Sequence, residues 1–376
     1  MRGFLICHCF VLLLSVSAYA KVDENLGITS QGIPSEVRQS GAQAQEATPR
    51  STLKQFEQAI QSYLSTHRIE QGVIGIVQRE RLVHLKQYAK QPQANRPEQL
   101  YRIASVSKVL TLIAVLDLAQ KGVVSLSDKP FSESGVLFNE WGDLPYQPEV
   151  ASITLDHLLR HRAGLSQQLD RRLFLEPDLA PATVFQLLLN QIPLSFSPGA
   201  QESYSNVGYV VLGAVVRKVT GMSVYEYLAR DTFKQIADFR LTASGGVSRI
   251  GEEVEYRSEY FELPYALNMS NISSAGGMAT NARSLVQVLM RIDRLERVPD
   301  VLREPWSNYD YLGYDTWFLF GSLPGSSALI GRLNDTYSVV ALFNGRNPDI
   351  DAQRNDLIKI LSHFSGATEW EAAGSE

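Results

Sequence analysis

One helix in the middle of the sequence is expected to be buried on most of its sides. The residues from Val109 to Ala119 are largely apolar, and they directly follow the segment Tyr101 to Lys108. A helix that is hydrophobic around most of its circumference belongs in the interior of a protein. Ser105 and Lys108 are three residues apart, so they share one face at the start of this helix. The rest of the chain is therefore expected to be organised around it.

Ser105 and Lys108 have the residue types of a nucleophile and its base. Ser105 is expected in the first helical turn, where free N–H groups and the helix dipole favour negative charge. Burial lowers the pKa of Lys108, so that a neutral amine can take the serine proton. The pattern alone is weak, because Ser51 and Lys54 repeat it where a helix cap and a surface lysine suffice. An acyl-transferring serine hydrolase is the working hypothesis.

The start of the sequence predicts export. Residues 1–20 have a positive start, an apolar centre and the small-x-small sequence Ala18-Tyr19-Ala20. These features are typical of a secretory signal peptide that is cut after Ala20. Residues 21–50 are rich in Gln, Ala, Ser and Gly, which predicts a flexible leader. A periplasmic location is expected, because the mature chain would be exported without cysteines.

Composition argues against several classes of function. Both cysteines, Cys7 and Cys9, lie in the predicted signal peptide, so no disulfide or cysteine metal site is expected. The net charge is −5, or about −6 without Arg2, and no basic block is present. Nucleic-acid binding therefore has no electrostatic support. No nucleotide-binding glycine motif occurs, so no cofactor is expected. Beyond the signal peptide no stretch is apolar and long enough to span a membrane.

The remaining sequence predicts one domain, residues 51–365, followed by a tail, residues 366–376. The predicted strands are 73–77, 82–88, 315–320, 327–333 and 337–343, and the predicted helices are 51–70, 105–122, 154–160, 181–190, 207–220, 223–230, 282–292 and 351–364. The last three strands are expected to join the early hairpin in one antiparallel sheet. The insertion at about 123–280 would form a second, mainly helical lobe. The nucleophile helix would lie at the seam, where substrate sites are common.

A second motif, Tyr204-Ser205-Asn206, precedes the predicted helix 207–220 and is the only Tyr-x-Asn in the chain. A tyrosine beside a lysine ammonium can have its phenol pKa lowered and act as a general base. An asparagine can hold both the lysine and a substrate amide. A loop tyrosine followed by an asparagine cap would explain the same residues.

Several segments, in order along the chain, carry a resemblance to a known family. They are Tyr101 to Lys108, Leu155 to Leu165, Pro198-Gly199 with Tyr204 to Tyr209, Ala275 to Met278, and Leu323 to Gly325. In this combination the sequence resembles the serine β-lactamase-like, penicillin-binding-protein-like family. That family includes class C β-lactamases, D-Ala-D-Ala carboxypeptidases and family VIII carboxylesterases. The resemblance implies an α/β two-lobe β-lactamase/transpeptidase-like fold, with an antiparallel sheet flanked by helices plus a mainly helical lobe.

The resemblance also implies a role for each site residue. Ser105 would be the nucleophile and Lys108 its activating partner. Tyr204 would be the general base, and Asn206 an orienting residue that binds substrate.

The third motif is where this sequence departs from the family, which usually has Lys-Thr-Gly or His-x-Gly on a strand lining the site. Read without a gap, the equivalent here is Leu319-Phe320-Gly321; read with a gap, it is deleted. Either way, no Lys, Arg or His occurs between residues 303 and 332. The strand at Gly321 and Ser322 can still supply a backbone N–H, from Ser322, for an oxyanion hole with that of Ser105.

The expected function is therefore an exported serine hydrolase that forms an acyl-enzyme on Ser105 with a small ester, amide or peptide. Loss of the cation disfavours substrates with a free carboxylate, so an esterase or a D-amino-acid peptidase is preferred. The alternatives are a β-lactamase proper, or a non-catalytic relative that binds peptidoglycan fragments or a protein partner. His157 and His161 have a metal-binding spacing, but no Glu completes a zinc motif and no metal is expected.

Overall fold

The computed structural model describes residues 51–91, 96–245, 248–257, 264–368 and 370. The predicted signal peptide and leader, and residues 369 and 371–376 of the predicted tail, lie outside the described residues. Within the described part the strands are β1 (Gln71–Gln78), β2 (Arg81–Ala89), β3 (Tyr101–Arg102), β4 (Leu241–Ala243), β5 (Met278–Thr280), β6 (Trp317–Leu323), β7 (Ser326–Arg332) and β8 (Tyr337–Phe343).

Five of these strands form one antiparallel sheet in the order β2-β1-β8-β7-β6. The late strand β8 pairs with the early strand β1, from Phe343 opposite Gly72 to Tyr337 opposite Gln78. The prediction that the terminal strands join the early hairpin is therefore confirmed. Among the described strands, this order leaves β6 at an edge of the sheet, with β7 as its one neighbour.

The edge strand β6 extends to Leu323, three residues beyond the predicted end. The alternating pattern ended at Phe320, just before Gly321, a residue type that weakens a strand. In the structure Gly321 lies within the strand. The turn is made by Pro324 and Gly325, where Gly325 has a φ of 72° that favours glycine.

The described α-helices are α1 (Leu53–Thr66), α2 (Ser107–Gln120), α3 (Leu155–Leu159), α4 (Gln167–Leu175), α5 (Pro181–Asn190), α6 (Asn206–Thr220), α7 (Val224–Tyr227), α8 (Ala282–Leu289) and α9 (Ile350–Ala367). A π-helical turn, Leu228–Thr232, continues α7, and 3-10 helices span Ala104–Val106, Val150–Ser152, Met269–Ile272, Trp306–Asn308 and Asp310–Gly313. Most predicted helices are confirmed to within a few residues, but α4 was not predicted. Among the described helices, none is by itself long and apolar enough to cross a membrane. Helix α6 and residues 224–232 reach the required length and apolarity only when they are taken together, and a 55° bend separates them.

The helix α1 shows why the second Ser-x-x-Lys copy is structural. Thr52, rather than Ser51, is the N-cap, and its hydroxyl accepts a hydrogen bond from the Gln55 N–H at 3.2 Å. The Gln55 side chain accepts one from the Thr52 N–H in return, which completes a capping box. Lys54 is exposed on the outer side of the helix.

Two hydrophobic layers cover the two faces of the large sheet. Because side chains alternate along a strand, Ile74 and Ile76 of β1 face the layer formed by α1 and α9, whereas Val73 faces the layer that contains α2. Every residue of α2 from Ser107 to Ala119 is buried, as predicted. Each aliphatic side chain buried there contributes about 1.5–3 kcal/mol of hydrophobic free energy, so α2 is held firmly in place.

A second, three-stranded sheet has the order β3-β5-β4 and was not predicted. Its strands have two or three residues each, too few to show an alternating pattern. Tyr101 of β3 lies opposite Thr280 of β5, and Arg102 lies opposite Ala279. This pairing fixes the chain immediately before Ser105 to the end of the helical insertion.

Candidate active site

The predicted nucleophile lies in a tight turn between β3 and α2. Ser105 is the central residue of the 3-10 helix Ala104–Val106, so it precedes α2 instead of lying in its first turn. Ala104 has a φ of 47°, a left-handed conformation that costs a residue with a side chain about 1–2 kcal/mol. The turn brings Ser105 Oγ to 2.8 Å from Tyr204 Oη and 3.3 Å from Lys108 Nζ.

Lys108 is a buried lysine with three oxygen atoms around its amine. Its side chain is 2% exposed, and Nζ donates to Asn206 Oδ1 at 2.8 Å and to Ala275 O at 2.7 Å. Ser105 Oγ is the third oxygen. Burial lowers the pKa of Lys108 to about 7, although the carboxylate of Asp170 opposes the shift. A substantial fraction of this lysine is therefore a neutral amine at neutral pH.

Tyr204 is enclosed between charged and aromatic groups. Its ring lies 4.6 Å from that of His161, and Lys108 Nζ lies 4.7 Å from its centre. Burial raises the pKa of the Tyr204 phenol, and the hydrogen bond to Ser105 only partly opposes the rise. The expected lowering is wrong, because lost hydration of a phenolate is the largest influence on this pKa and the charge of Asp170 adds to it. Tyr204 is a neutral phenol at neutral pH.

The chain around Tyr204 is held by hydrogen bonds with α4 and with His161, the second residue after α3. His161 accepts two of these bonds, from Ser203 N–H at its carbonyl oxygen (2.8 Å) and from Ser205 N–H at Nδ1 (3.1 Å). On α4, Gln167 Nε2 donates to Tyr204 O (2.6 Å). Asp170 accepts from Asn206 N–H at Oδ2 (3.0 Å) and from Val207 N–H at Oδ1 (2.7 Å). Ser205 also caps α6, since its hydroxyl accepts the Gly208 N–H at 3.2 Å. Each of the five successive residues 203–207 is thus fixed by at least one hydrogen bond of its backbone.

Sequence reasoning missed α4 and therefore missed Gln167 and Asp170. A signal for this helix was available: Ser166 is a good N-cap, and Leu169 and Leu173 follow with helical spacing. In the structure the Ser166 hydroxyl accepts the Gln168 N–H, and both leucines are buried. Nothing in the sequence alone indicated that Asp170 would reach the Tyr204 segment.

The two histidines at metal-binding spacing use a ring nitrogen to accept from the backbone. His157 Nδ1 accepts the Thr154 N–H at 3.3 Å at the start of α3. His161 Nδ1 accepts the Ser205 N–H, and burial with the charge of Lys108 lowers the pKa of His161 to about 3. The described residues contain no group of three or more His, Cys, Asp or Glu side chains arranged to hold a metal ion.

The edge strand β6 lies directly against the nucleophile turn. A Cβ atom added at Gly321 would lie 2.3 Å from Ile103 O and 3.0 Å from Ser105 N. Only glycine allows the two backbones to approach so closely. This placement agrees with the alignment without a gap, in which Leu319-Phe320-Gly321 is the third motif. Leu319 shares a strand face with Gly321, because side chains two residues apart point the same way.

The hydrogen-bond register of the sheet gives the direction of the Ser322 N–H. Leu333 N–H donates to Tyr337 O, so the odd-numbered residues of β7 bond to β8 and the even-numbered ones bond to β6. Their partners in β6 are odd-numbered. Ser322 N–H therefore points away from β7, toward the free edge of the sheet. The Ser322 hydroxyl accepts from Arg346 Nη1 at 3.3 Å.

The β-lactamase/transpeptidase-like serine hydrolases are defined by a two-lobe α/β fold in which a Ser-x-x-Lys turn contacts a Tyr-x-Asn segment. The family model described as Beta-lactamase matches residues 56–362, and the chain belongs to this family. Membership establishes the hydrolase fold and leaves the substrate open.

Named relatives in this family differ in what their names say they do. Probable fimbrial assembly protein FimD, serogroup H1, of Dichelobacter nodosus is 32% identical over 212 residues, which cover 53% of this chain and 50% of that protein. Esterase EstB of Burkholderia gladioli is 33% identical over 179 residues, which cover 40% of this chain and 41% of the esterase. The chain matches about half the length, or less, of these curated relatives.

Among solved structures, the D-amino acid amidase from Ochrobactrum anthropi SV3, complexed with L-phenylalanine amide, is similar with a TM-score of 0.63. The sequence identity is 18%, and the match covers 83% of this chain and 99% of the amidase. This likeness shows the α/β two-lobe fold, with its antiparallel sheet and mainly helical lobe, as predicted.

Proposed function

We propose that this protein is an exported serine hydrolase that forms an acyl-enzyme on Ser105 from a small ester or amide. The observation that carries the proposal is the buried Lys108, whose amine touches Ser105 Oγ, Asn206 Oδ1 and Ala275 O. A lysine is not normally buried unless its charge is balanced or it works as a neutral base. Here it adjoins a serine in a strained turn.

The contacts of Lys108 suggest how the serine is activated. A neutral amine keeps two N–H groups when it faces a hydroxyl. Asn206 Oδ1 and Ala275 O can accept both of them, and the nitrogen lone pair is then left for the Ser105 hydroxyl. Ser105 gives its proton to Lys108 as its oxygen attacks the acyl carbon. A pKa of about 7 is well placed for this transfer at neutral pH.

Tyr204 acts in this proposal as a proton relay and not as a phenolate base. Its hydroxyl is 2.8 Å from Ser105 Oγ and can donate to it or accept from it. When the tetrahedral intermediate collapses, the proton held by Lys108 passes through Tyr204 to the leaving oxygen or nitrogen. The same groups then activate the water that hydrolyses the acyl-enzyme. Asn206 orients Lys108 and binds the substrate.

The backbone N–H groups of Ser105 and Ser322 form the proposed oxyanion hole. The close packing of Gly321 on the Ser105 turn and the outward direction of the Ser322 N–H support this pairing. Each such donor contributes on the order of 3 kcal/mol to transition-state stabilisation.

The substrate is proposed to lack a carboxylate beside the scissile bond. In the alignment without a gap, Leu319 takes the position where the family usually has a cation, and no Lys, Arg or His of β6 would pair with an anionic group there. An esterase or a D-amino-acid peptidase or amidase is therefore preferred to a β-lactamase. The names of the esterase EstB and the D-amino acid amidase are consistent with this choice.

Hydrolysis of p-nitrophenyl acetate by residues 21–376 tests the proposal. Ser105→Ala is expected to lower kcat/KM by about 10⁴-fold or more. Ser51→Ala, in the copy of the motif on α1, is the matched control and should keep wild-type activity. Equal activity in Ser105→Ala and wild type would rule out Ser105 as the nucleophile.

If the wild type does not hydrolyse the ester, a fluorophosphonate label separates the remaining functions. Labelling at Ser105 would indicate an active peptidase that rejects this ester. A folded protein that stays unlabelled would favour the alternative, a non-catalytic relative that binds peptidoglycan fragments or a protein. The altered third motif, which lacks the usual Lys or His, motivates this alternative. Rapid turnover of a cephalosporin would instead identify a β-lactamase.

A further inference from the structure

Asp170 of α4 is a buried carboxylate whose hydrogen-bond partners all belong to the segment that carries Tyr204 and Asn206. It is 1% exposed and accepts hydrogen bonds from Ser205 Oγ at 3.3 Å, Asn206 N–H at 3.0 Å and Val207 N–H at 2.7 Å. All three partners donate, so they match the ionised carboxylate. The N-terminus of α6 also favours a negative charge at this place.

Asn206 connects this carboxylate to Lys108. Its side-chain Oδ1 accepts from Lys108 Nζ at 2.8 Å, while its backbone N–H donates to Asp170 Oδ2 at 3.0 Å. The carboxylate raises the pKa of Lys108 against the effect of burial. In return Lys108 lowers the pKa of Asp170, which burial brings to about 6.

The other titratable groups that face Lys108 carry no negative charge at neutral pH. The rings of Tyr204 and Tyr209 lie 4.7 and 5.7 Å from Nζ, and burial raises the pKa of both phenols. His161 is kept neutral by burial and by Lys108 itself. Among the described residues, Asp170 is therefore the negative charge that acts on the lysine.

We propose that Asp170 is a positioning residue of the acyl-transfer site, which holds Tyr204 and Asn206 in place and supplies the negative charge that balances the ammonium form of Lys108. The proposal deepens the function given above and rests on Lys108 acting as the base. Asp170 acts through Lys108 and the Tyr204 segment, without touching Ser105. One carboxylate thereby links the geometry of the site to the pH at which it works.

The sign of the effect follows from the charge. Without the carboxylate, the ammonium form of Lys108 loses a favourable interaction and gives up its proton more readily. The acidic limb of the kcat/KM profile should then move to lower pH, by about one unit for a buried pair of opposite charges. A residue that served only as a structural support would lower the rate without moving this limb.

The pH profile of ester hydrolysis is measured for wild type, Asp170→Asn and Ser205→Ala. Asp170→Asn is expected to move the acidic limb down by about one pH unit and to lower kcat. Ser205→Ala is the matched control, because it removes a hydrogen bond to Asp170 and the cap of α6 without changing any charge. It should lower Tm and kcat but leave the limb in place. An unmoved limb in folded Asp170→Asn would overturn the proposal.

A second measurement does not depend on hydrolysis or on folding of the Asp170 variant. The carboxyl ¹³C resonance of Asp170 is titrated in wild type and in Lys108→Met. The two charges act on each other equally, so removal of the lysine should raise the Asp170 pKa measured by NMR, by about one unit. An unchanged titration would refute the coupling. If this shift is found but the wild type hydrolyses no substrate and takes no fluorophosphonate label, the coupling stands and the proposed hydrolase function fails.

Discussion

Gly321→Ala is the substitution whose effect the structure predicts most directly. The added Cβ would lie 2.3 Å from Ile103 O, 3.0 Å from Ser105 N and 3.1 Å from the Cβ of Ala104. A carbon atom normally stays about 3.3 Å from a carbonyl oxygen. The shortfall is therefore about 1 Å, and both closest atoms belong to the backbone. The strand and the nucleophile turn must separate.

This separation would pull apart the two N–H groups of the proposed oxyanion hole. A displacement of about 1 Å in a catalytic arrangement costs about 100-fold in rate, so kcat/KM for p-nitrophenyl acetate should fall by that factor. Overpacking at a buried backbone contact should also cost about 1–3 kcal/mol of stability. Steady-state kinetics and thermal unfolding measure the two effects separately.

Gly276→Ala is the matched control. A Cβ at Gly276 would have its nearest contact at 3.5 Å, with Ile272, and would lie 3.7 Å from the carbonyl carbon of Ala104. These are ordinary van der Waals distances, so activity should stay within about twofold of wild type. If Gly321→Ala kept wild-type kcat/KM and Tm, or if both variants lost activity equally, the packing argument for β6 would be wrong.

Three further predictions concern the base, the relay and the third motif. In wild type, kcat/KM for a neutral ester should rise with pH through an apparent pKa near 7, because Lys108 must lose its proton; a flat profile between pH 5 and 9 would contradict this assignment. Tyr204→Phe should lower kcat by about 10²–10³-fold while thermal unfolding shows a folded protein, and retained activity would exclude the relay. Leu319→Lys should improve kcat/KM for a carboxylate-bearing substrate about tenfold relative to a neutral ester, and no change in this ratio would exclude Leu319 as a determinant of specificity.

Features with strong local patterns were predictable from the sequence. The apolar run of α2 required burial, and the alternating strands near the end of the chain required a partner sheet, which β1 and β2 provide. Ser105, Lys108, Tyr204 and Asn206 were chosen from two short motifs, and the structure places their side chains within hydrogen-bonding distance of at least one other member of the set.

The parts that could not be predicted depend on contacts distant in sequence. Nothing local indicates that Asp170 receives three hydrogen bonds from residues 205–207. The pKa of Tyr204 was misjudged because its motif shows the nearby lysine but not the degree of burial. The end of β6 was misplaced because Gly321 is needed there for the close approach of the Ile103 backbone. Ile103 lies more than 200 residues earlier, so the local sequence does not show this contact.

The pKa of Lys108 is set by groups other than those proposed to bind the substrate. Burial lowers the pKa of this lysine to about 7, and among the described residues the opposing charge comes from Asp170 on α4. No charge on β6 takes part. In the alignment without a gap, Leu319 stands where the family usually has a cation, and the proposed base Lys108 would still lose its proton at neutral pH. The acyl transfer proposed for Ser105 and Lys108 therefore does not depend on that cation, whose proposed role is limited to an anionic group of the substrate.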